Sequence, residues 1–331
     1  MTTENKALSR LKNLAFPEII LKWYAILGIY ATVLFIFLFL RLQGGNEPNL
    51  LQLGPLRFRW YGILIACGVA LATLVTSYLA ERRGEDANHA WRVLPVVLVS
   101  SLVGARLWFV VFTWETYSQH PDRIIAIWEG GIAIQGGVLG GLAGGLIYAR
   151  LASVKAWRWA DFIAPGLVLA QAIGRWGNFM NNEAYGSPIN LPWGIKIPCQ
   201  YRTDGHPGTV DTRCGVTGNP GVDSTFHPTF LYESLWDYGC FLILLFLSLN
   251  PRPTWFERKL GWWRRDGDLF LIYWIIYSIG RFFTESLRTD SLTFGGFRTA
   301  QVTAIAAILV CSALLFWQHR HDRKEKTGIV A

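Results

Sequence analysis

The sequence predicts an all-α polytopic membrane protein with about eight transmembrane helices and a small extracytoplasmic head segment. The chain of 331 residues is 52% hydrophobic and only 16% charged. Its apolar residues gather into spans near the ~20 residues with which a helix crosses about 30 Å of hydrocarbon. Few of these spans show the amphipathic face that a buried helix of a soluble protein presents, which disfavours a soluble helical protein.

The predicted spans follow one another along the chain. The first is longer than the core of a cleavable signal peptide, and no small-x-small cleavage site follows it before Arg41. It is therefore predicted to be a retained anchor helix. The eight spans cover residues 16–40, 60–80, 93–113, 131–149, 161–180, 229–249, 269–287 and 298–317.

Lysine and arginine are distributed unequally between alternate connections. The termini and connections that would lie on one side of the membrane carry 18 of them, and those on the other side carry 8. The positive-inside rule therefore places both termini in the cytoplasm. The net charge of +8 is interpreted as anchoring charge against anionic membrane lipid, and no nucleic-acid partner is expected.

This topology makes the long segment 181–228 extracytoplasmic. It is rich in the residues that form turns and loops. Cys199 and Cys214 lie within it, and an oxidising compartment predicts a disulfide between them, with two free thiols as the alternative. The predicted regions are 1–53, a cytoplasmic N-terminus with the extra helix; 54–317, the membrane core; and 318–331, a charged cytoplasmic tail.

Charged residues near the outer ends of the spans point to an anion site. Arg175 and Arg281 both lie in apolar spans, where a charged side chain needs a partner or a ligand. Guanidinium remains charged and donates a planar fork of hydrogen bonds to phosphate oxygens. Since the abundant anion near a membrane surface is phospholipid phosphate, these arginines predict a phospholipid-phosphate site. Arg106 either adds to that site or pairs elsewhere.

These polar residues also have purely structural interpretations. Arg175 could pair with Glu183, following the general habit of charges inside membranes to pair. Tyr277, Arg281 and Glu285 stand four residues apart and so share one helix face. A simple ion pair between Arg281 and Glu285 is the structural alternative there.

The span 131–149 begins in a glycine-rich stretch. Paired glycines from Gly130 to Gly145 predict close approach of a helix or of lipid. Gln135 within it is either a packing residue that forms an amide hydrogen bond or part of the polar site. A nucleotide-binding loop is excluded, because no strand precedes the glycines and no P-loop lysine follows them.

Five motifs resemble those of the prolipoprotein diacylglyceryl transferase family, in the family's order and over roughly residues 54–317. The motifs are Trp-Tyr-Gly at 60–62, Gly-Gly-Ile-Ala-Ile-x-Gly-Gly at 130–137, Gly-Arg-x-Gly-Asn-Phe-x-Asn-x-Glu-x-x-Gly at 174–186, His-Pro-x-x-Leu-Tyr-Glu at 227–233 and Tyr-x-x-x-Arg-x-x-x-Glu at 277–285.

The resemblance implies a bacterial enzyme of the cytoplasmic (inner) membrane. It would transfer the sn-1,2-diacylglyceryl group of phosphatidylglycerol to the lipobox cysteine of a preprolipoprotein, forming a thioether and releasing glycerol 1-phosphate. It implies no metal or organic cofactor, and the sequence has no metal-ligand spacing of Cys and His. The residues expected to act in catalysis are Arg175, Arg281, Glu183, Tyr277 and Gln135. Those expected to bind phosphatidylglycerol are Arg175, Asn178, Gly186, Tyr61, Arg281 and Glu285.

The sequence departs from the family in two places. Some members carry a histidine, proposed as the base for the thiol, where this chain has Gln135, and an amide takes up no proton at useful pH. Either Glu183 or Glu285 is then the base, or the arginines stabilise the thiolate. The second departure is the added span 16–40, beyond the seven spans expected of the family, which reverses the side of the N-terminus.

Two other classes of function remain as alternatives. A lipid or small-anion transporter would also place arginines and glycines in membrane spans, but the inverted repeats or paired broken helices typical of it are not seen in the sequence. A non-catalytic anchor protein would gain nothing from Arg281 in an apolar span. Thioether formation on a lipobox peptide distinguishes the transferase from both.

Overall fold

The computed structural model describes residues 30, 32, 36, 49–53, 56–202, 214, 224–250, 264–289, 291, 293–294 and 297–328. The chain divides into two compact units, Met1–Glu47 and Pro48–Ala331. In the first unit Tyr30, Thr32 and Ile36 are helical, and the rest of the predicted span 16–40 lies outside the described residues.

The second unit is mainly helical. Each of its long helices overlaps one of the spans that the sequence predicts between residues 60 and 317. In the described part of the chain the helices are α1 (Trp60–Arg82), α2 (Asn88–Phe112), α3 (Trp114–Gln119), α4 (Ile134–Leu151), α5 (Ala156–Met180), α6 (Thr229–Leu249), α7 (Asp268–Glu285) and α8 (Thr299–Gly328).

Length and composition alone qualify four of these helices to cross a membrane. They are α1, α2, α6 and, within α8, the stretch Thr299–Arg320. Helices α5 and α7 carry the charged residues discussed below, and α4 carries six glycines among its 18 residues.

Short strands connect the helices. β1 (Asn49–Leu53) and β2 (Leu56–Arg59) form an antiparallel hairpin that leads into α1. Between α5 and α6, β3 (Pro188–Ile189), β4 (Ile195–Lys196) and β5 (Thr225–Phe226) form a small antiparallel sheet in the order β3-β5-β4. β6 (Thr293–Phe294) pairs with β7 (Phe297–Arg298) before α8.

The predicted disulfide in the segment between α5 and α6 is confirmed. Cys199 and Cys214 are bonded, with their Cα atoms 5.7 Å apart. Arg202 lies beside this bond and donates to the carbonyl oxygen of Ile197 at 2.8 Å. Its guanidinium also lies over the ring of Phe226 in β5, 4.8 Å from the centroid. The arginine therefore links the disulfide to the small sheet.

Helix α5 is the centre of the bundle, packing against α1, α6 and α7, while α8 packs on α7. Trp176 and Val168 of α5 are almost completely buried. The outer helices, in contrast, expose large apolar side chains such as Val99, Leu107 and Leu142. An exposed apolar belt of this kind is suited to contact with lipid.

Helices α2 and α4 form a separate pair that meets through glycine. A Cβ atom at Gly104 of α2 would lie 2.3 Å from the carbonyl oxygen of Gly136 in α4. A Cβ atom at Gly140 would lie 2.2 Å from the carbonyl oxygen of Ser100. The backbones are therefore in direct contact, which is the close helix approach that the paired glycines predict.

Candidate active site

A charged cluster lies where the end of α5, the start of α6 and the end of α7 meet. Arg175 is five residues before the last residue of α5, and Arg281 is four residues before the last residue of α7. Glu233 is in the first turns of α6, four residues after its start. At 1.5 Å of rise per residue, each side chain lies within about 8 Å of a helix end.

Glu233 is the centre of the cluster because both of its carboxylate oxygens are shared. Its Oε2 is 2.8 Å from Nη1 of Arg175, and its Oε1 forms an ion pair with Nη1 of Arg281. The hydroxyl of Thr284 also donates to Oε1, at 3.0 Å, and Nη1 of Arg288 is 4.0 Å from the same oxygen. The Glu233 side chain is only 4% exposed. A single buried carboxylate thus fixes arginines from α5 and α7.

Helix α7 arranges its polar residues in the stripe that their spacing predicts. Arg281 Nη2 is 2.7 Å from Oε2 of Glu285, one turn further along the helix. The hydroxyl of Tyr277, one turn earlier, accepts a hydrogen bond from Nη2 of Arg175 at 3.3 Å. The stripe therefore links to α5 twice, through Tyr277 directly and through Glu233.

The turn that follows α5 contains Glu183. The side-chain amides of Asn178 and Asn181 donate to its Oε1 at 3.0 Å and 3.2 Å. The backbone here is tightly folded, since Asn182 and Ala184 both have φ near 56°, a left-handed conformation that is uncommon for alanine. The Glu183 side chain is exposed, unlike Glu233.

Gly186 connects the three segments of the site. Its N–H donates to the carbonyl oxygen of His227 at 2.8 Å, and it forms an isolated antiparallel bridge with Arg288. A Cβ atom at Gly186 would lie 2.7 Å from the Cβ of His227 and 2.8 Å from the carbonyl oxygen of Leu287. Glycine is therefore required here by close approach of the backbone.

The start of α1 also reaches this end of the bundle. A Cβ atom at Gly177 of α5 would lie 2.4 Å from Cδ2 of Tyr61. The Tyr61 ring therefore packs directly on α5, between Arg175 and Asn178 in sequence.

Gln135 and Arg106 take no part in the hydrogen bonds and ion pairs of the cluster that the structure describes. Gln135 is the second residue of α4 and is exposed. Arg106 is buried and donates to four backbone carbonyls, those of Arg123, Ile124, Gly130 and Gly131. Of the two options for Arg106, pairing elsewhere is the one observed: it holds the segment between α3 and α4.

Most of the chain is similar in sequence to known proteins. Residues 48–317 match the prolipoprotein diacylglyceryl transferase family. A Nostoc sp. protein named phosphatidylglycerol–prolipoprotein diacylglyceryl transferase is 42% identical over 83% of this chain and 90% of its own length. Proteins of the same name from Thermosynechococcus vestitus and Chloroflexus aggregans are each 41% identical over 80% of this chain, and over 90% and 87% of their lengths.

The chain belongs to the prolipoprotein diacylglyceryl transferase family. Four of the five motifs that carry the resemblance contribute to the region around the cluster: 60–62, 174–186, 227–233 and 277–285. The remaining one, 130–137, opens α4 and contributes to the glycine contact with α2.

The structure corrects one pairing considered for the sequence. The ion-pair partner of Arg175 is Glu233 and not Glu183, because α6 delivers its carboxylate from the neighbouring helix. Glu183 instead accepts from the two asparagine amides. The pair between Arg281 and Glu285 exists as its spacing predicts, but Arg281 also shares Glu233.

Two buried acids were missed as site residues. Glu233 stands in a predicted motif, but it was not assigned a role, and Asp237 lies one turn further along α6, 2% exposed. Oδ2 of Asp237 has no hydrogen-bond partner among the described residues. Two carboxylates four residues apart in an apolar span share one face, and that spacing was the signal that could have found them.

The cluster is suited to an anionic group. Arg175 and Arg281 keep side-chain exposures of 19% and 20%, and each guanidinium has five N–H donors. Glu233 therefore orients both without using all of their donors. Among the described residues no group of three or more His, Cys, Asp or Glu could hold a metal ion.

Proposed function

We propose that this protein transfers the sn-1,2-diacylglyceryl group of phosphatidylglycerol to the lipobox cysteine thiol of a preprolipoprotein, the first step of bacterial lipoprotein maturation. Relatives named for this activity align with at least 80% of the chain. The observation that carries the proposal is the Glu233 bridge, which holds Arg175 and Arg281 side by side at one end of the bundle.

The reaction sets a clear electrostatic task. The cysteine sulfur attacks C3 of the glyceryl group, so a C–S bond forms as the bond from C3 to the phosphate oxygen breaks. The electron pair of that bond leaves with the oxygen, giving glycerol 1-phosphate, and the thiol proton passes to a base. Negative charge therefore grows on the departing phosphate, and donors already fixed around it lower the barrier.

Arg175 and Arg281 are assigned to that phosphate. Both are held in place before substrate arrives, because Glu233 is buried and shared between them. Removing one preorganised donor of this kind costs on the order of 10²–10³ in rate. The hydroxyl of Tyr277 accepts from Arg175, which leaves its own hydrogen for the lipid head group.

The remaining predicted residues are assigned to binding. Asn178 follows Arg175 by three residues and so shares its face of α5, and Tyr61 packs on α5 at the neighbouring Gly177. Gly186 sets the close backbone contact between the turn after α5 and the start of α6. Such positioning groups contribute by orienting the reacting atoms.

Thiol deprotonation is assigned to Glu183. Glu285 is 2% exposed and its Oε2 is ion-paired with Arg281, so a peptide thiol has poor access to it. Glu183 is exposed at the end of the bundle and is held by two asparagine amides. A base must come within hydrogen-bond reach of the proton that it removes, and the exposed position of Glu183 leaves it open to a peptide thiol.

The protein is further proposed to span the cytoplasmic membrane several times with both termini in the cytoplasm. The core would contribute seven helices, and the span 16–40 an eighth. Charge asymmetry supports this orientation, as does the disulfide between Cys199 and Cys214, which is typical of a segment outside the reducing cytosol. The small sheet of β3, β4 and β5 would form the extracytoplasmic head.

The test is a transfer assay with the purified full-length protein in detergent. Phosphatidylglycerol labelled in its diacylglyceryl group is incubated with a lipobox peptide, and the thioether product and free glycerol 1-phosphate are both quantified. Equal amounts of both products are expected from the cysteine peptide and neither from a serine peptide.

Folded protein that binds phosphatidylglycerol and yields no thioether would reject the proposal. It would favour a lipid-binding or lipid-transporting relative. Arg92→Gln is a suitable reference variant for the assay, because Arg92 is exposed near the start of α2 and pairs only loosely with Asp86, at 3.6 Å.

A further inference from the structure

The opposite end of the bundle contains a second basic site. A cavity of about 350 Å³ lies among the end of α1, the start of α5, the end of α6 and the start of α7. The polar residues around it include Arg83, Arg158, Asp161, Ser248, Arg264 and Arg265. It shares no lining residue with the Glu233 cluster.

The distance between the two sites follows from α5, which contributes to both. Asp161 and Arg175 are 14 residues apart on this helix, which corresponds to about 21 Å along its axis. Tyr61 and Arg83 lie at the two ends of α1, 22 residues or about 33 Å apart. The cavity is therefore on the other side of the predicted bilayer from the candidate active site.

Positive charge exceeds negative charge around this cavity. Its described lining holds four arginines and two aspartates, Asp161 and Asp266. Asp161 is already engaged, since its oxygens accept from the backbone N–H groups of Gly267 at 2.8 Å and Phe270 at 3.0 Å. It holds the start of α7 in place. Together with Asp266 and the nearby Glu85, which pairs with Arg158, it gives three negative charges against the four arginines.

The arginines are fixed by backbone groups. Arg83 Nη2 donates to the carbonyl oxygen of Ser248 at 2.9 Å, and Arg264 donates to the carbonyls of Leu247 and Asn250. Arg158 donates to the carbonyl of Arg83 at 3.2 Å. Arg158 also pairs with the carboxylate of Glu85, at 3.1 Å. The guanidinium groups of Arg83 and Arg264 are thus oriented around the end of α6 by backbone carbonyls.

Burial and neighbouring positive charges lower the pKa of Arg83. Partial burial lowers the pKa of its guanidinium, and the nearby charges of Arg264 and Arg158 lower it further. An anion placed among these residues would relieve this repulsion. The arrangement therefore favours a negatively charged ligand on physical grounds.

We propose that this cavity binds a phosphate group, carried either by an anionic lipid head group or by a soluble phosphate ester. Several guanidinium groups around one open cavity are the donors that phosphate oxygens prefer. The cavity is reachable, because Arg83 and Arg265 are exposed. Trp157, next to Arg158, is 50% exposed, and an exposed tryptophan at a helix end is typical of the membrane interface. The lipid is therefore the favoured carrier.

The experiment measures ligand binding to the full-length protein in detergent by native mass spectrometry. The probes are short-chain phosphatidic acid, short-chain phosphatidylcholine as the zwitterionic control, and inorganic phosphate as a competitor. The test variant is Arg83→Gln with Arg158→Gln. Its matched control is Arg82→Gln with Arg92→Gln, which removes the same charge from exposed residues at the same end of the bundle.

The cavity variant is expected to lose at least about tenfold in affinity for one bound phosphatidic acid, while the control variant changes less than about twofold. Unchanged diacylglyceryl transfer by the cavity variant shows that it is folded. Competition by inorganic phosphate identifies a soluble ester as the carrier, and its failure to compete identifies the lipid.

Equal losses in the two variants would mean only general surface attraction and would overturn the proposal, as would no loss in either. Arg83→Lys with Arg158→Lys provides a second check, because it keeps the charges and removes the planar forks. Its affinity is expected to lie between those of the wild-type protein and the glutamine variant. If the wild-type protein bound phosphatidylcholine as tightly as phosphatidic acid, that result would likewise contradict a site that recognises the charge of the phosphate.

Discussion

Two helix contacts in this protein are built in opposite ways. Helices α5, α6 and α7 meet through buried charge, with Glu233 shared by Arg175 and Arg281. Helices α2 and α4 meet through the absence of side chains, with Gly104 and Gly136 in backbone contact. Both contacts carry family motifs, but only the first places ionisable groups where a phosphate could be bound.

The difference separates function from packing. A charge in an apolar span is costly and is kept where it pairs or binds something. A glycine at a helix contact costs little and allows dispersion contacts between backbones. We therefore expect substitutions at the charged contact to affect catalysis most, and substitutions at the glycine contact to affect mainly stability.

The largest effect is expected for Arg175→Ala and for Arg281→Ala. Each removes a fixed donor to the departing phosphate, so the transfer rate should fall by about 10²–10³ or more. The measurement is the initial rate of thioether formation, with membrane insertion checked by fractionation. Near-normal rates in both variants would show that these arginines serve packing only, as the glycines do.

The next effect is on stability, for Glu233→Gln. The neutral amide leaves two largely buried guanidinium groups without their shared counter-ion, and breaking a buried pair in this way costs about 3–5 kcal/mol. The free energy of unfolding in mixed micelles would measure it. Thr284→Val is the matched control, because it removes only the hydroxyl that donates to the same carboxylate, at a cost of about 1 kcal/mol. Equal losses in both would argue against a charge-based contact.

At the glycine contact, two neighbouring residues provide a paired test. A methyl group on Gly136 would lie 2.2 Å from the carbonyl oxygen of Gly104, whereas one on Gly137 would lie 3.6 Å from its nearest neighbour. Gly136→Ala should therefore destabilise the protein by about 1–3 kcal/mol through overpacking. Gly137→Ala should be neutral or slightly stabilising, since alanine favours the helix. The same unfolding assay applies, and similar values for both would mean that the helices are not in close contact.

The smallest effect is expected for Gln135→Ala. Gln135 is exposed and takes no part in the described hydrogen bonds and ion pairs of the charged cluster, so the transfer rate should stay within about twofold of the wild-type rate. Glu183→Gln, in the same assay, should lower the rate far more if Glu183 takes the thiol proton. A complete loss in Gln135→Ala would show that the start of α4 takes part in the reaction after all.

Features that repeat along one helix were predictable from the sequence. The stripe of Tyr277, Arg281 and Glu285 follows from a spacing of four residues, because the helical period fixes which side chains share a face. The glycine spacing in α4 predicted a close helix contact in the same way. The disulfide between Cys199 and Cys214 was predictable from the expected compartment and the separation of the two residues.

The choice of partner between helices was decided only by the tertiary structure. Glu183 is close to Arg175 along the chain and was therefore considered as its ion-pair partner. Where three helix ends meet, however, Arg175 pairs with Glu233. The sequence left open whether Arg106 adds to the anion site or pairs elsewhere. In the structure it donates to backbone carbonyls of the segment before α4. The physical reason is that local periodicity fixes directions within a helix, whereas distances between helices depend on how all of their faces pack together.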